Sequence, residues 1–96
     1  MYGLIGSFSA LPGKRDELIA LMTASVGEMP GCRSYVVGKD RTDQDKVWVA
    51  EVWDSPESHK ASLQIPSVAE TIKRAMPLIA GFGEHVEFDP VGGYGL

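Results

Sequence analysis

Apolar and polar residues alternate in two segments near the ends of the chain, residues 2–10 and 82–89. A repeat of two positions is typical of a β-strand with one buried side. Two central segments, residues 32–39 and 47–53, are rich in valine and aromatic residues and also predict strands. The polar stretch 40–45 between them predicts a hairpin loop. The chain is therefore expected to supply four strands.

After the first strand the hydrophobic period changes to that of a helix. Spacings of three and four residues from Lys14 onward align Leu18, Leu21, Met22, Ser25, Val26 and Met29. This pattern predicts an amphipathic helix of about four turns. Pro30 and Gly31 are expected to end it.

Two further helices are predicted after the third strand. Ser55 can cap free backbone N–H groups and Pro56 suits the first helical position, so a short helix is expected to run to about residue 64. Another helix follows Pro66. Pro77 should kink or end it near Met76, because proline cannot continue a helix without losing a hydrogen bond.

The element order βαββααβ predicts an α+β, ferredoxin-like fold with a four-stranded antiparallel sheet covered by helices on one face. The length of 96 residues fits a single domain spanning 1–96. A domain of this size has a thin core. A large enclosed ligand cavity would therefore be expected to draw on a second copy of the chain.

The third strand is apolar on both sides. One side carries Val47, Val49 and Trp53, and the other carries Trp48, Ala50 and Val52. Glu51 alone breaks this pattern. The sheet face away from the helices would then expose an extensive apolar surface. The pattern predicts a homodimer in which sheet packs on sheet.

Charge and composition exclude several classes of partner. Nine basic residues are outnumbered by 13 acidic ones, for a net charge of −4, which argues against nucleic acid. Cys32 is the single cysteine, and no HExxH motif or close ligand set predicts a metal site. No apolar run is long enough to span a membrane. A cytoplasmic location is expected.

His59 is the candidate catalytic residue. It lies on the predicted short helix just after the third strand, and histidine ordinarily titrates near neutral pH, as a general acid or base requires. The alternative is a surface histidine bonded to a neighbour. Ser62 lies one helical turn later and could share its face.

Four other residues are candidates for binding a ligand. Trp53 offers an aromatic wall for a planar molecule, although core or interface packing would also explain it. Glu51 could orient a histidine or an arginine, or form an interface salt bridge, because an unpaired buried carboxylate is costly. Tyr35 could hydrogen-bond a phenolic substrate, although strand tyrosines usually only pack. Met76 lies on the apolar stripe of the last predicted helix.

Three stretches resemble the antibiotic biosynthesis monooxygenase family: residues 12–18 (PGKRDEL), 29–32 (MPGC) and 51–59 (EVWDSPESH). The resemblance covers nearly the whole chain. It implies a small dimeric α/β barrel. Several members oxidise quinols or polyketide phenols with O₂ and no flavin, metal or other prosthetic group. The substrate anion itself reduces oxygen, and related members degrade haem.

The chain departs from the family pattern at two points. Many relatives have a histidine directly before the leucine of the short helix, where this chain has Ser62. The haem-degrading branch uses an asparagine on the first strand, and this chain contains no asparagine. Haem degradation is therefore disfavoured.

The resemblance leads to one main hypothesis and two alternatives. The first is a cofactor-independent monooxygenase for a small phenol or quinol, with His59 as the acid–base residue and Trp53, Tyr35, Glu51, Ser62 and Met76 at the substrate. The second is a non-catalytic dimeric binding or stress-related protein that holds a small aromatic ligand. The third is an isomerase- or lyase-like activity that moves protons without O₂.

Overall fold

The computed structural model describes residues 1–24 and 29–95. The strands are β1 (Tyr2–Ala10), β2 (Cys32–Lys39), β3 (Lys46–Trp53) and β4 (Ile79–Phe88). The helices are α1 (Arg15–Thr23), α2 (Pro56–Ser62) and α3 (Pro66–Ala75), and a 3-10 turn, Met76–Leu78, joins α3 to β4. The predicted element order is confirmed.

The four strands form one antiparallel sheet in the order β2-β3-β1-β4. The helices cover one face, which we call the inner face. The α+β, ferredoxin-like fold predicted from the sequence is therefore confirmed. The register places Glu51 of β3 between Leu4 of β1 and Tyr35 of β2. These three residues share the inner face, because directly paired residues point to the same side of a sheet.

Element boundaries differ from the predictions in three places. The described part of α1 ends at Thr23, and the predicted continuation through Ser25 and Val26 falls outside the described residues. Helix α2 ends at Ser62 rather than near residue 64. Strand β4 begins at Ile79 rather than at residue 82. The 3-10 turn before it places Ile79 opposite Ala10 of β1, and the two residues pair.

The hydrophobic core lies at one end of the inner face. Leu18 of α1, Ala75 of α3, and Val47 and Ala10 of the sheet are buried and in contact. Leu18 and Val47 are fully inaccessible to solvent. The core therefore fixes α1 and α3 on the sheet and leaves the other end of the inner face to a cavity.

The outer face of the sheet carries an apolar row that crosses all four strands. Val36 pairs with Ala50, Ala50 with Ile5, and Ile5 with Val86. Val36 is 59% exposed, Val86 53% and Ile5 37%. Trp48, on the same face, donates its Nε1–H to Asp40 at 2.8 Å. The two-sided apolar character predicted for β3 is thus present, with Trp53 inside and Trp48 outside.

Two hydrogen bonds fix the start of α2, the helix that follows β3 in the chain. The Ser55 hydroxyl accepts the backbone N–H of Ser58 at 3.1 Å, as the sequence predicts for an N-cap. The Asp54 N–H donates to the carbonyl of Gly31 at 2.8 Å. The turn before β2 therefore holds the segment that leads into α2.

Replacing Gly31 with alanine should destabilise this junction. Gly31 has a φ of +84°, and an added Cβ would lie 2.7 Å from the Ser58 hydroxyl oxygen. We expect Gly31→Ala to lower the free energy of unfolding by about 1–3 kcal/mol. Gly38→Ala is the matched control, because an added Cβ there meets nothing within 4 Å. Equal stability of the two variants by urea denaturation would contradict this account.

Candidate active site

A cavity of about 250 Å³ lies between the inner face of the sheet and the helices. Its wall is mostly aliphatic and aromatic. Helix α3 contributes Val68, Ile72 and Ala75 to it. The titratable side chains among its described lining residues are Tyr35, Glu51 and His59. The cavity therefore combines an apolar body with a small polar region.

Glu51, Trp53 and His59 form the polar centre of this region. The Trp53 indole Nε1–H donates to Glu51 Oε1 at 3.0 Å, and His59 Nε2 lies 4.0 Å from the same oxygen. Alternation along β3 puts Glu51 and Trp53 on one side, since they are two residues apart. Helix α2 then brings His59 over them. The 4.0 Å separation is longer than a hydrogen bond, so the role of Glu51 in orienting a histidine stays a prediction.

The His59 ring is packed between two aromatic rings. Its centroid is 5.4 Å from that of Trp53, in an edge-on arrangement, and 5.8 Å from that of Tyr2. Ser62, which is buried, donates its hydroxyl to the His59 carbonyl at 2.6 Å and so supports this turn of the helix. The His59 side chain is 24% exposed. The His59 side chain is therefore accessible to solvent as well as to a molecule in the cavity.

Burial controls the protonation of the two acidic groups beside His59. Burial raises the pKa of Glu51, and the hydrogen bond from Trp53 and the charge of His59 partly oppose that rise. Burial also raises the pKa of Tyr35 to about 12, with a smaller contribution from the Glu51 carboxylate. At neutral pH the Tyr35 hydroxyl is therefore protonated and can donate a hydrogen bond, and burial makes the charged form of Glu51 less favourable than in water.

A second cavity of about 430 Å³ adjoins the first on the β4 side. Both cavities share Phe8, Met22, Tyr35, Glu51 and Phe82 as lining residues. Phe82 is 73% exposed and packs against Phe8 at a ring-centroid distance of 6.4 Å. Glu51 and Tyr35 therefore stand where the two spaces meet.

The structure brings the six sequence-predicted site residues to one place. The residues that line the first cavity include Tyr35, Glu51, Trp53, His59, Ser62 and Met76. Met76 is half exposed and lies at the rim, whereas Trp53 forms part of the buried floor. Their catalytic and binding roles stay predictions.

Sequence reasoning missed two contributions. Ile72 and Ala75 of α3 line the cavity, and neither was among the predicted site residues. Tyr2 packs on His59, and its hydroxyl donates to Glu87 at 2.5 Å. The pairing of Tyr2 with Trp53 could have indicated that Tyr2 lies near His59. That pairing is known only once the β1–β3 register is known.

Residues 1–24 and 29–95 also bear on two other features, metal-binding clusters and membrane-spanning helices. No cluster of three or more histidine, cysteine, aspartate or glutamate residues suited to a metal ion occurs among them. None of the described helices has the length and apolar character needed to cross a membrane.

The chain was compared with known families and structures. Residues 1–74 match the family model for antibiotic biosynthesis monooxygenase. A structure from Chloroflexus aurantiacus J-10-fl, provisionally named an antibiotic biosynthesis monooxygenase, is 57% identical with a TM-score of 0.95, over 98% of this chain and 96% of that one. Comparison with curated proteins gives no match.

More distant structures share the fold. A Deinococcus radiodurans protein with the same provisional name is 19% identical and has a TM-score of 0.79, over 100% of this chain and 98% of that one. One from Nitrosomonas europaea is 13% identical and has a TM-score of 0.83, over 96% of this chain and 100% of that one. The family match and the 57% identical structure together show that the chain belongs to the antibiotic biosynthesis monooxygenase family.

Proposed function

We propose that this protein is a cofactor-independent monooxygenase that oxidises a small phenol or quinol with O₂. In this proposal it works in the cytoplasm as a homodimer. The observation that carries the proposal is the Glu51–His59 pair, with 4.0 Å between Oε1 and Nε2, inside an otherwise largely apolar cavity. Such a pair can remove a proton from a hydroxyl group while the surrounding wall excludes water.

The size of the cavity suits a compact aromatic molecule. A cavity of about 150 Å³ is enough to hold benzene, so about 250 Å³ leaves room for a ring with substituents. Trp53, Tyr35 and Met76 would contact the ring. Ser62 would act indirectly, by holding the turn that carries His59.

The proposed reaction is balanced without a further reductant. A phenol and O₂ give a quinone and water: one oxygen atom becomes the new carbonyl oxygen and the other leaves as water. The ring loses four electrons and O₂ gains them. Deprotonation of the hydroxyl makes the ring electron-rich enough to reduce oxygen, and this is the step in which the protein takes part.

The homodimer rests on the outer face of the sheet. The row formed by Val36, Ala50, Ile5 and Val86 is open in the single chain, and Phe88, 40% exposed, extends it. An apolar surface that crosses a whole sheet is typical of an interaction site. A second copy packed through the same face would cover it.

Replacing His59 tests the function directly. We expect protein-dependent oxygen uptake with a panel of quinols and phenols, and a fall on the order of 10²-fold in kcat/KM for His59→Ala, because proton transfer is lost. Lys60→Ala is the control, since Lys60 is exposed on the same helix and lines neither cavity.

Three outcomes would change this proposal. Equal turnover by the wild type and His59→Ala would remove His59 from the mechanism. Ligand-induced stabilisation without turnover would favour the non-catalytic binding protein. Product formation under anaerobic conditions would favour an isomerase- or lyase-like reaction.

A further inference from the structure

The two oxygen atoms of the Glu51 carboxylate have different surroundings. Oε1 accepts the Trp53 indole N–H and faces His59. Oε2 has no hydrogen-bond partner within the described residues. Every fully buried side-chain oxygen or nitrogen among these residues does have a partner, so Oε2 is not fully buried. Oε2 is therefore accessible, and Glu51 lines both cavities. It is the oxygen that a ligand can reach.

The carboxyl group lies deeper than the imidazole. The Glu51 side chain is 12% exposed and the His59 side chain 24%. His59 lines the first cavity alone, whereas Glu51 stands at the junction of the two. A molecule in either space can thus approach Glu51, while His59 lies nearer to solvent.

We propose that Glu51 is the group that takes the proton from the substrate hydroxyl, and that His59 then carries the proton to solvent. The inference rests on the proposed function and assigns the order of its proton transfers. In the first step the substrate O–H bond breaks and an O–H bond forms at Glu51 Oε2, so the negative charge moves to the substrate. In the second step the O–H bond at the Glu51 carboxyl breaks and an N–H bond forms at His59 Nε2. His59 then releases a proton to solvent, so both groups return to their starting state.

The surroundings of Glu51 favour this assignment, in which Glu51 accepts the proton and His59 releases it to solvent. His59 faces it from α2, and the Glu51 carboxylate contributes to raising the pKa of Tyr35 and Cys32 on β2 and of Tyr2 on β1. Tyr35, Cys32 and Tyr2 are neutral at neutral pH, because the pKa of each is raised above its ordinary value. A buried carboxylate with so little compensating charge gains from accepting a proton, whereas the Trp53 N–H keeps it oriented during the transfer.

The first test is kinetic. Glu51→Gln keeps the side-chain shape and should lower kcat/KM on the order of 10³–10⁴-fold. His59→Ala should lose less activity and should recover it with added imidazole, which can carry protons at the exposed position. Glu51→Gln should not recover. The matched control is Glu70→Gln, an exposed glutamate of α3 that lines neither cavity.

The second test needs no turnover and uses 4-nitrophenol. Above the pH at which this phenol ionises, its binding to the wild type should take up about one proton, because adjacent phenolate and carboxylate charges are not both tolerated. Titration calorimetry in two buffers with different heats of ionisation measures that number. His59→Gln should take up the same number and Glu51→Gln none.

The outcomes separate the two proposals. Glu51-dependent proton uptake without oxygen consumption on any substrate would support the assignment of Glu51 and overturn the oxygenase. Oxygen consumption by Glu51→Gln at the wild-type rate, or proton uptake that follows His59 instead, would overturn the assignment and leave the oxygenase intact. Failure of the wild type to bind 4-nitrophenol would overturn both.

Discussion

Trp53→Ala is expected to lower the free energy of unfolding by about 3–5 kcal/mol, the range for removing a buried aromatic side chain. Trp53 is 1% exposed and is one of the largest fully buried side chains among the described residues. The substitution also removes the N–H donor of Glu51 and one of the rings against His59. Urea denaturation of the variant measures the loss, and a change below about 1 kcal/mol would contradict this description of the floor of the cavity.

Trp53→Phe separates the ring from its N–H group. It keeps most of the buried surface and should cost much less stability, but Glu51 loses the hydrogen bond that lowers its pKa. The pKa of Glu51 should then rise further. In the proposed mechanism activity depends on the carboxylate form of Glu51, so the acid side of the kcat/KM profile should move to higher pH. An unchanged profile would show that the Trp53 hydrogen bond does not tune the proton acceptor.

Ile5→Asp is expected to convert the proposed homodimer to monomers. Ile5 lies at the centre of the apolar row, paired with Ala50 on one side and Val86 on the other. A carboxylate there would have to be desolvated within the interface, which is costly without a partner. Light scattering coupled to size-exclusion chromatography measures the molecular mass.

Val91→Asp is the matched control for the interface. Val91 is 96% exposed and lies in the segment after β4, outside the sheet. This variant should retain the mass of the wild type. A monomeric wild type, or an Ile5→Asp protein that keeps the wild-type mass, would contradict a dimer formed through the outer face.

The sequence predicts the fold well because its local signals agree. Residues 2–10 alternate and residues 32–39 carry Tyr35, Val36 and Val37 at their centre, and the structure forms strands over both segments. Ser55 and Pro56 act together as a helix start, and Pro77 limits α3. The sequence predicts that strand β4 begins at residue 82, because the spacing of Ile79 fits the apolar stripe of the preceding helix. Pairing with β1 extends it to Ile79.

The candidate site depends on contacts that a single sequence does not contain. The alternation along β3 places Glu51 and Trp53 together, and the helix after it places His59 nearby. Which tryptophan lies under the helices depends on the packing of α3, and the contact of Tyr2 with His59 depends on strand register. The position of Glu51 at the junction of two cavities needs the three-dimensional arrangement.

The central claim is that the cavity around Glu51 and His59 oxidises a phenol or quinol with molecular oxygen. Mass spectrometry of the product formed under ¹⁸O₂, with the wild type and Glu51→Gln compared against protein-free substrate, tests this claim most directly. The account predicts one labelled oxygen atom per product molecule with the wild type and only the protein-free background with Glu51→Gln. Unlabelled product, or label that forms equally without the protein, would contradict it.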